Sequence, residues 1–368
     1  MPEERLITLA IHTFDKAVAL RALLENEGIE VELHNVNLQV PGLSSGVRVR
    51  IPEKDLALAL RIVENKELFS PEGSAEHIVL VPVDFSEHSF KAVGVAAALA
   101  SRSKAKLRFL YSYIDPYLAG SLQLKDTLSY DDSEPRARAM LGAHSERLMS
   151  NFCERVRNAM KHGHMPPAPF SAQVMEGVPE DAIVEHGKRI NPTIVVMGTR
   201  GAARKQAEMI GSITAEVLDE GLFTVLTVPE PAESEAVLTP RNILFFSNLD
   251  QEDILAMDAV YRIFGGTGVK VTIMHVPSRR RFSDSGAGKA LHKLSQYCRE
   301  NFANYHFISV PVSPDDCEKA FANLQQGETF DLIVAPNRRR NAFSRLLNPG
   351  LAHKIIFQTD VPMLVIPV

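Results

Sequence analysis

The sequence predicts an α/β protein in which two tandem doubly wound parallel-sheet domains follow a small α+β domain. From about residue 76 onward, short apolar strands alternate with helical segments, which is typical of a parallel sheet covered on both faces. The second part of this region repeats the order of the first. A length of 368 residues also favours two or three domains.

Residues 1–70 are predicted to form the small α+β domain. The segments RLITLAI, VELHNVN and GVRVRIP predict strands, and VRVRI alternates strictly between apolar and basic residues. The segments FDKAVALRALLENEG and EKDLALALRIVENK have apolar residues at helical spacing. A Pro/Gly/Ser-rich stretch, Phe69–His77, then predicts a linker.

Residues 76–231 and 239–368 are predicted to be the two larger domains. They begin with HIVLVPVDFSEHS and RNILFFSNLDQED, and they end with LFTVLTVPE and DVPMLVIPV. Between them, Pro229–Pro240 has the prolines and acids of a linker. The strands TVLTVP and MLVIPV would be aggregation-prone edges if left open, so we expect the domains to pair through them as an intramolecular pseudo-dimer.

Composition excludes several function classes. The chain is 45% hydrophobic and 23% charged, which is ordinary for a globular protein. It has no apolar run of membrane-spanning length, and MPEERLITLAIHTFDKA lacks the features of a secretion signal, so we expect a cytoplasmic protein without a membrane partner. A net charge of -5 argues against nucleic acid as a partner. Cys153, Cys298 and Cys317 show no CxxC spacing, which predicts reduced structural thiols and no metal site.

The segment MGTRGAARKQAEMIGSITAEV places Gly198, Gly201 and Gly211 between the strand TIVVM and a predicted helix. Ligands of such sheets bind at this edge, where bare backbone and a helix N-terminus can accept a phosphate. Ser212 is expected to be the N-cap, with its hydroxyl on the helix or on a phosphate oxygen. Alternatively, the glycines are plain turn and cap residues, because neither GxxxxGK[ST] nor GxGxxG is present.

The pattern G-x2-G-x9-G-[ST] in this setting resembles the ATP-binding signature of the universal stress protein family. VPVDFSEHSFKAV resembles the first strand and turn of that family, and EGVPEDAI resembles its glycine-containing turn before the third helix. The resemblance is strong over residues 76–231 and weak over 239–368. It implies an adenine nucleotide alpha hydrolase-like fold that binds ATP, alone or with Mg²⁺, and has no covalent cofactor.

Carried over by position, the resemblance implies a nucleotide site in which the strand ends border adenine and ribose and the glycine segment holds the phosphates. The implied residues are Pro82, Val83, Asp84, Met197, Gly198, Thr199, Arg200, Gly201, Gly211, Ser212, Ile213 and Thr214. For Asp84 the alternative is a turn cap, because DFSEHS is also typical of a helix start. Arg200, Arg204 and Lys205 either screen phosphate charge or are solvated loop cations.

The first 70 residues resemble a small bacterial signal-transducing domain related in fold to nitrogen-regulatory PII proteins. The matching phrases are ALRALLENEGIEVELHN and GVRVRIPEKDLALALRIV, which are mostly core pattern. This resemblance implies a ferredoxin-like fold with a role in contact or sensing.

The second α/β domain departs from the family pattern at the positions where nucleotide binding needs glycine, a hydroxyl or a carboxylate. Alignment of the two domains places Pro336 at Gly198, Arg339 at Gly201, Pro349 at Gly211, Gly350 at Ser212, Asn248 at Asp84 and Phe246 at Pro82. These changes remove the permissive backbone, the free N–H at the helix entry, the hydroxyl and the carboxylate. We therefore expect this domain to be a structural partner that does not hold ATP. Its arginines either bind another anion or are solvated: Arg338, Arg339, Arg340 and Arg345.

The leading hypothesis is an ATP-binding protein of stress response or signalling that acts through nucleotide-dependent contacts without substantial catalysis. The alternatives are a weak ATPase or adenylyl-transferring enzyme, and a nucleotide-free scaffold. Phosphoryl transfer depends on positioning and charge stabilisation, and this segment shows no carboxylate cluster for Mg²⁺, no histidine base and no P-loop lysine. Glu208 and Asp219 are either metal ligands or helix-surface charges. The sequence leaves two further alternatives open: assembly into a homo-oligomer and binding of an unidentified protein partner.

Overall fold

The computed structural model describes residues 6–12, 20–22, 24–25, 27–35, 47–56, 58–59, 77–114, 133–199, 211–232, 237–247, 249, 252–275, 287–302, 304–312, 329–337 and 360–367. They fall into two compact units, Met1–Glu76 and His77–Val368. The predicted division of the larger unit at residues 231–239 stays a prediction.

The smaller unit contains a three-stranded antiparallel sheet of β1 (Leu6–His12), β2 (Glu32–Asn35) and β3 (Val47–Pro52), in the order β1-β3-β2. Residues 20–22 and 24–25 are helical, and Glu53–Asp55 form a 3-10 turn. The core consists of Leu20, Leu24, Ile29, Val49, Ile51 and Ala59. The three predicted strands are present, whereas the ferredoxin-like and PII-like assignment stays a prediction.

The larger unit alternates strands and helices along the chain. Its first part contains β4 (Ile78–Pro82), α1 (Glu87–Ser103), β5 (Lys106–Tyr113), α2 (Ser133–Lys161), β6 (Phe170–Glu176), α3 (Pro179–Ile190), β7 (Ile194–Gly198), α4 (Ser212–Glu220) and β8 (Val225–Val228). Its second part contains β9 (Asn242–Ser247), α5 (Glu252–Phe264), β10 (Val269–His275), α6 (Ala287–Asn301), β11 (Tyr305–Pro311), β12 (Leu332–Asn337) and β13 (Met363–Pro367).

The ten strands that the structure describes in this unit lie in one sheet, in the order β11-β10-β9-β12-β13-β8-β7-β4-β5-β6. Every neighbouring pair is parallel except β13 and β8, which are antiparallel. Outward from that pair, the two groups of five strands have the same order by chain position. The predicted α/β class and parallel sheet are confirmed.

Both faces of the sheet are buried, which explains the near-continuous apolar runs in its strands. Val79 and Val81 pack into one core, and Leu80 between them packs into the other. Helix α1 covers the first of these faces with a small-residue surface that includes Ala92, Ala96 and Ala100. Small side chains let this helix approach the strands closely.

The two groups of strands meet where β8 pairs with β13, in the register Met363↔Thr227, Leu364↔Leu226 and Val365↔Val225. This is the predicted pairing of TVLTVP with MLVIPV. The Thr227 hydroxyl accepts a hydrogen bond from Met363 N at 3.1 Å and lies 3.4 Å from Met363 O, to which it donates. The side chain therefore bridges the junction inside the core.

Arg102, in the last turn of α1, makes a second link between the two groups. Its guanidinium donates to Leu238 O at 2.7 Å and to Phe264 O, at the end of α5, at 2.9 Å. A cation at a helix C-terminus also interacts favourably with the helix dipole.

The described cysteines, Cys153 and Cys298, are free and buried. Burial raises the pKa of the Cys298 thiol to about 12 and also raises that of Cys153. These properties agree with the predicted structural thiols, while Cys317 lies outside the described residues. Among the helices that the structure describes, none is long and apolar enough to cross a membrane.

Replacing Thr227 by valine tests the junction. Thr227→Val keeps the shape of the side chain but leaves the buried Met363 N–H without its acceptor, so we expect a loss of about 1–3 kcal/mol in the free energy of unfolding. Urea denaturation at equilibrium measures it. Unchanged stability would show that the hydroxyl does not hold the two groups together.

Candidate functional site

The strands β4 and β7 are parallel neighbours, so their carboxyl ends meet at the same edge of the sheet. Helix α1 begins just after β4, and α4 begins at the same edge after β7. The predicted residues 82–84, 197–199 and 211–214 therefore come together. Arg200 and Gly201 lie outside the described residues, as do Arg204, Lys205 and Glu208.

Asp84 organises the turn between β4 and α1. One carboxylate oxygen accepts hydrogen bonds from the Ser86 backbone N–H at 3.1 Å and from the Ser86 hydroxyl at 2.5 Å. Ser86 is in turn the N-cap of α1 and accepts from Ser89 N at 3.2 Å. The turn-cap interpretation of Asp84 thus holds for this oxygen, whatever else the carboxylate contacts.

Phe85, the next residue, has a left-handed backbone with φ of 64°, which is strained for a bulky side chain. Its ring packs against Tyr111 with the ring centroids 4.4 Å apart. Burial, and then the charge of Asp84, raise the pKa of Tyr111. The Asp84 carboxylate is therefore close enough to Tyr111 to disfavour ionisation of its hydroxyl.

A left-handed backbone also occurs after β9, at Leu249, the position equivalent to Phe85, where φ is 57°. There the Ser247 hydroxyl accepts from Leu249 N at 3.0 Å and donates to Asp253 at 2.7 Å. Both groups of strands thus keep a strained turn at this point. In the second group, the Ser247 hydroxyl bonds to this segment from one position before Asn248, the equivalent of Asp84.

The absence of a side chain at Gly198 is explained by packing. A Cβ here would lie 3.3 Å from His88 O and 3.4 Å from the His88 carbonyl carbon, because the first turn of α1 rests on the end of β7. His88 is further linked to the segment after β8, with Nε2 4.0 Å from a Glu230 carboxylate oxygen. A side chain at 198 would therefore be tightly packed whether or not a ligand binds.

The expectation that Ser212 is the N-cap of α4 is wrong. Gly211 is the N-cap, with φ of -70° and ψ of 157°, and its carbonyl accepts from Ala215 N at 3.1 Å. The chain enters the helix one residue earlier than expected, which makes Ser212 the first helical residue. The Gly211 N–H donates to Thr199 O, so it links the start of α4 to the residue that follows β7.

The first turn of α4 presents the backbone N–H groups of Ser212, Ile213 and Thr214, which have no acceptor within the helix. Ser212 is exposed and Ile213 is 37% exposed. Thr214 is buried, and its hydroxyl donates to Gly198 O at 3.1 Å, so its side chain fastens α4 to β7. Val83 and Met197, predicted to border adenine, are also buried in the cores.

Two carboxylates beside the first turn of α4 were missed by sequence reasoning. A hydrogen bond with Glu180, followed by the charge of Glu180, raises the pKa of Glu216. Glu216 lies one helical turn beyond Ser212, on the same face of α4. Because Glu180 is on α3, no local pattern could have revealed the pair. Among the described residues, no group of three or more His, Cys, Asp or Glu side chains is arranged to hold a metal ion.

In the second group of strands, Pro336 lies in β12 at the position equivalent to Gly198 and has no N–H to offer. Phe246, equivalent to Pro82, is buried in the core. The other replacements lie outside the described residues: Asn248, Arg339, Pro349 and Gly350.

Comparison with protein families gives a match to the Universal stress protein family over residues 76–229. Residues 76–229 are therefore similar to a universal stress protein domain. A curated relative, a universal stress protein of Methanocaldococcus jannaschii, is 22% identical over 158 residues, which cover 42% of this chain and 82% of the relative. The resemblance seen in the glycine segment is thus supported for the first group of strands.

Solved structures also resemble this chain. A universal stress protein from Archaeoglobus fulgidus matches with a TM-score of 0.55 and 17% identity, covering 78% of this chain and 97% of that one. At this identity the similarity is one of fold. A universal stress protein in complex with cAMP matches with a TM-score of 0.30 and 22% identity, covering 42% of this chain and 98% of that one.

Ser86 offers a test of the turn that shapes this edge. Ser86→Ala removes both the N-cap of α1 and the hydroxyl that donates to Asp84, so we expect it to cost about 1–2 kcal/mol in the free energy of unfolding. Ser103→Ala, at the other end of α1, is the control and should cost less, because its hydroxyl donates to the i−4 carbonyl, Leu99 O. Equal losses in thermal or urea unfolding would contradict the role of Ser86.

Proposed function

We propose that the universal stress protein domain binds an ATP-type adenine nucleotide at the edge where β4 and β7 end, and acts in stress response or signalling through nucleotide-dependent contacts. The observation that carries this proposal is Gly211. A Cβ there would make only ordinary contact among the described residues, 3.6 Å from Thr199 O, and any residue can adopt its φ and ψ. A phosphate approaching the first turn of α4 supplies a reason for glycine.

Electrostatics favour the same end of α4. Its N–H groups and the positive end of the helix dipole attract anions. Glu180 and Glu216 oppose this attraction. Mg²⁺ brought with the nucleotide would offset their charge, so we expect the affinity for ATP to rise when Mg²⁺ is added.

We further propose that one nucleotide binds per chain and that the second α/β half, residues 239–368, supports the first without an ATP site of its own. Pro336 takes the place of Gly198 in the second half and removes an N–H at the strand end. The antiparallel β8–β13 pair makes this half a continuation of the same sheet. We propose that the second half stabilises the fold of the half that binds the nucleotide.

A pair of glycine variants separates ligand binding from packing. Gly211→Ala should cost less than about 1 kcal/mol in the free energy of unfolding, because alanine is a poorer N-cap than glycine. It should weaken ATP binding about tenfold or more, because the methyl group lies where phosphate approaches. Gly198→Ala adds the same methyl group and should lower stability by about 1–3 kcal/mol through its contact with His88 O. Calorimetric titration and thermal denaturation measure the two effects.

The ligand panel for the titration is ATP with and without Mg²⁺, ADP and cAMP. Undiminished ATP affinity in Gly211→Ala would show that the glycine does not serve a nucleotide. A wild-type protein that binds none of these ligands at millimolar concentration, and whose melting temperature they do not raise, would favour the scaffold hypothesis.

The enzyme alternative is tested by phosphate release from ATP, which we expect to stay close to the uncatalysed background. Sustained turnover that is lost in Asp84→Ala would favour a weak ATPase. Formation of an adenylylated protein, seen by intact mass, would instead favour adenylyl transfer.

A further inference from the structure

The helix that begins at the proposed phosphate site is held at its other end by a residue from far along the chain. Asn337, the last residue of β12, is buried, and its side-chain N–H donates to Leu218 O at 3.0 Å. Leu218 lies in the last turn of α4, whose C-cap Gly221 also donates to the same carbonyl at 3.2 Å. The amide thus completes the C-terminal end of the helix.

This contact follows from the topology of the sheet. Helix α4 begins at the carboxyl edge of β7 and ends where β8 starts. Since β13 is antiparallel to β8 and parallel to β12, the carboxyl end of β12 lies at the edge where α4 ends. The second group of strands therefore reaches the helix of the first.

Asn337 is poorly explained as a residue that only stabilises the core. Its side-chain oxygen is buried and has no hydrogen-bond partner among the described residues. A buried polar atom without a partner is destabilising, so an apolar side chain would suit a purely packing role better. The amide also restricts its surroundings, because a Cβ at Gly221 would lie 3.0 Å from its nitrogen.

Helix α4 is short enough for such a contact to matter at its far end. Its nine residues span about 13 Å, and helices of this length are marginal without tertiary contacts. Thr214 fastens the first turn to Gly198 O, and Asn337 fastens the last turn to β12. The two contacts together fix where the N–H groups of the first turn lie.

We propose that Asn337 is a positioning residue for the nucleotide site, acting through α4. The proposal rests on the proposed function of that site. The amide holds Leu218 O and thereby sets the position of the N–H donors of Ser212, Ile213 and Thr214 relative to the strand ends. The second group of strands contributes to nucleotide affinity in this way without touching the nucleotide.

The test compares ATP affinity in two variants of similar size, measured by calorimetry on the full chain. Asn337→Leu removes the donor, and Asn337→Asp replaces it with a carboxylate that repels Leu218 O and the negative end of the helix dipole. We expect affinity to fall about threefold to tenfold in Asn337→Leu and further in Asn337→Asp. Thr227→Val, which weakens the β8–β13 junction without altering α4, should keep wild-type affinity.

Protonation of the introduced carboxyl group should restore the lost hydrogen bond in Asn337→Asp. Burial, the facing carbonyl and the acidic Asp219 and Glu220 at the end of α4 favour the protonated carboxyl group, which can donate to Leu218 O as the amide does. Relative to wild type at each pH, the affinity of Asn337→Asp should therefore recover as the pH is lowered from about 8 to about 5. Asn337→Leu should show no such recovery.

The outcomes distinguish this proposal from the proposed function. If the wild-type chain binds no nucleotide, the proposed function itself is wrong. If wild type binds and both Asn337 variants bind equally well at every pH, even with lower melting temperatures, Asn337 is only structural. A parallel loss of affinity in Thr227→Val would likewise overturn the positioning role, because general weakening of the sheet would then suffice.

Discussion

The antiparallel pairing of β8 with β13 is the contact on which the rest of the larger unit depends. It joins two groups of five parallel strands into one sheet, with Leu226 and Leu364 fully buried at the seam. Because the two groups run in opposite directions, their carboxyl edges lie on opposite edges of the sheet. The second group thereby reaches the far end of α4, a helix that begins at the carboxyl edge of the first group.

Three glycines, at the end of β7 and at the two ends of α4, lack a side chain for different physical reasons. Gly198 leaves room for the backbone of His88, and Gly221 adopts the left-handed conformation of a helix C-cap beside Asn337. Gly211 has neither constraint among the described residues. Spacing alone places Gly198 and Gly211 in one motif, whereas the geometry separates them: a Cβ would be tightly packed at 198 and in ordinary contact at 211.

Local pattern was sufficient to predict much of this architecture. Alternating apolar strands and helices predicted the parallel sheet, and the two Val- and Leu-rich final strands predicted the pairing of β8 with β13. The cap of α4 was wrong by one residue, because serine's preference for the N-cap gave way to the backbone path set by the Gly211–Thr199 hydrogen bond. The contacts of Arg102 with Phe264 and of Asn337 with Leu218 were out of reach, since they join residues more than a hundred positions apart and only the sheet order brings them together.

The central claim is that an adenine nucleotide binds at the first turn of α4. Hydrogen–deuterium exchange with and without ATP, read by mass spectrometry, locates the binding site most directly. The account predicts slower exchange in peptides that contain residues 211–214 and 83–86, with little change at residues 242–247, the first strand of the second group. Protection centred on the second group, or none at saturating ATP, would contradict it.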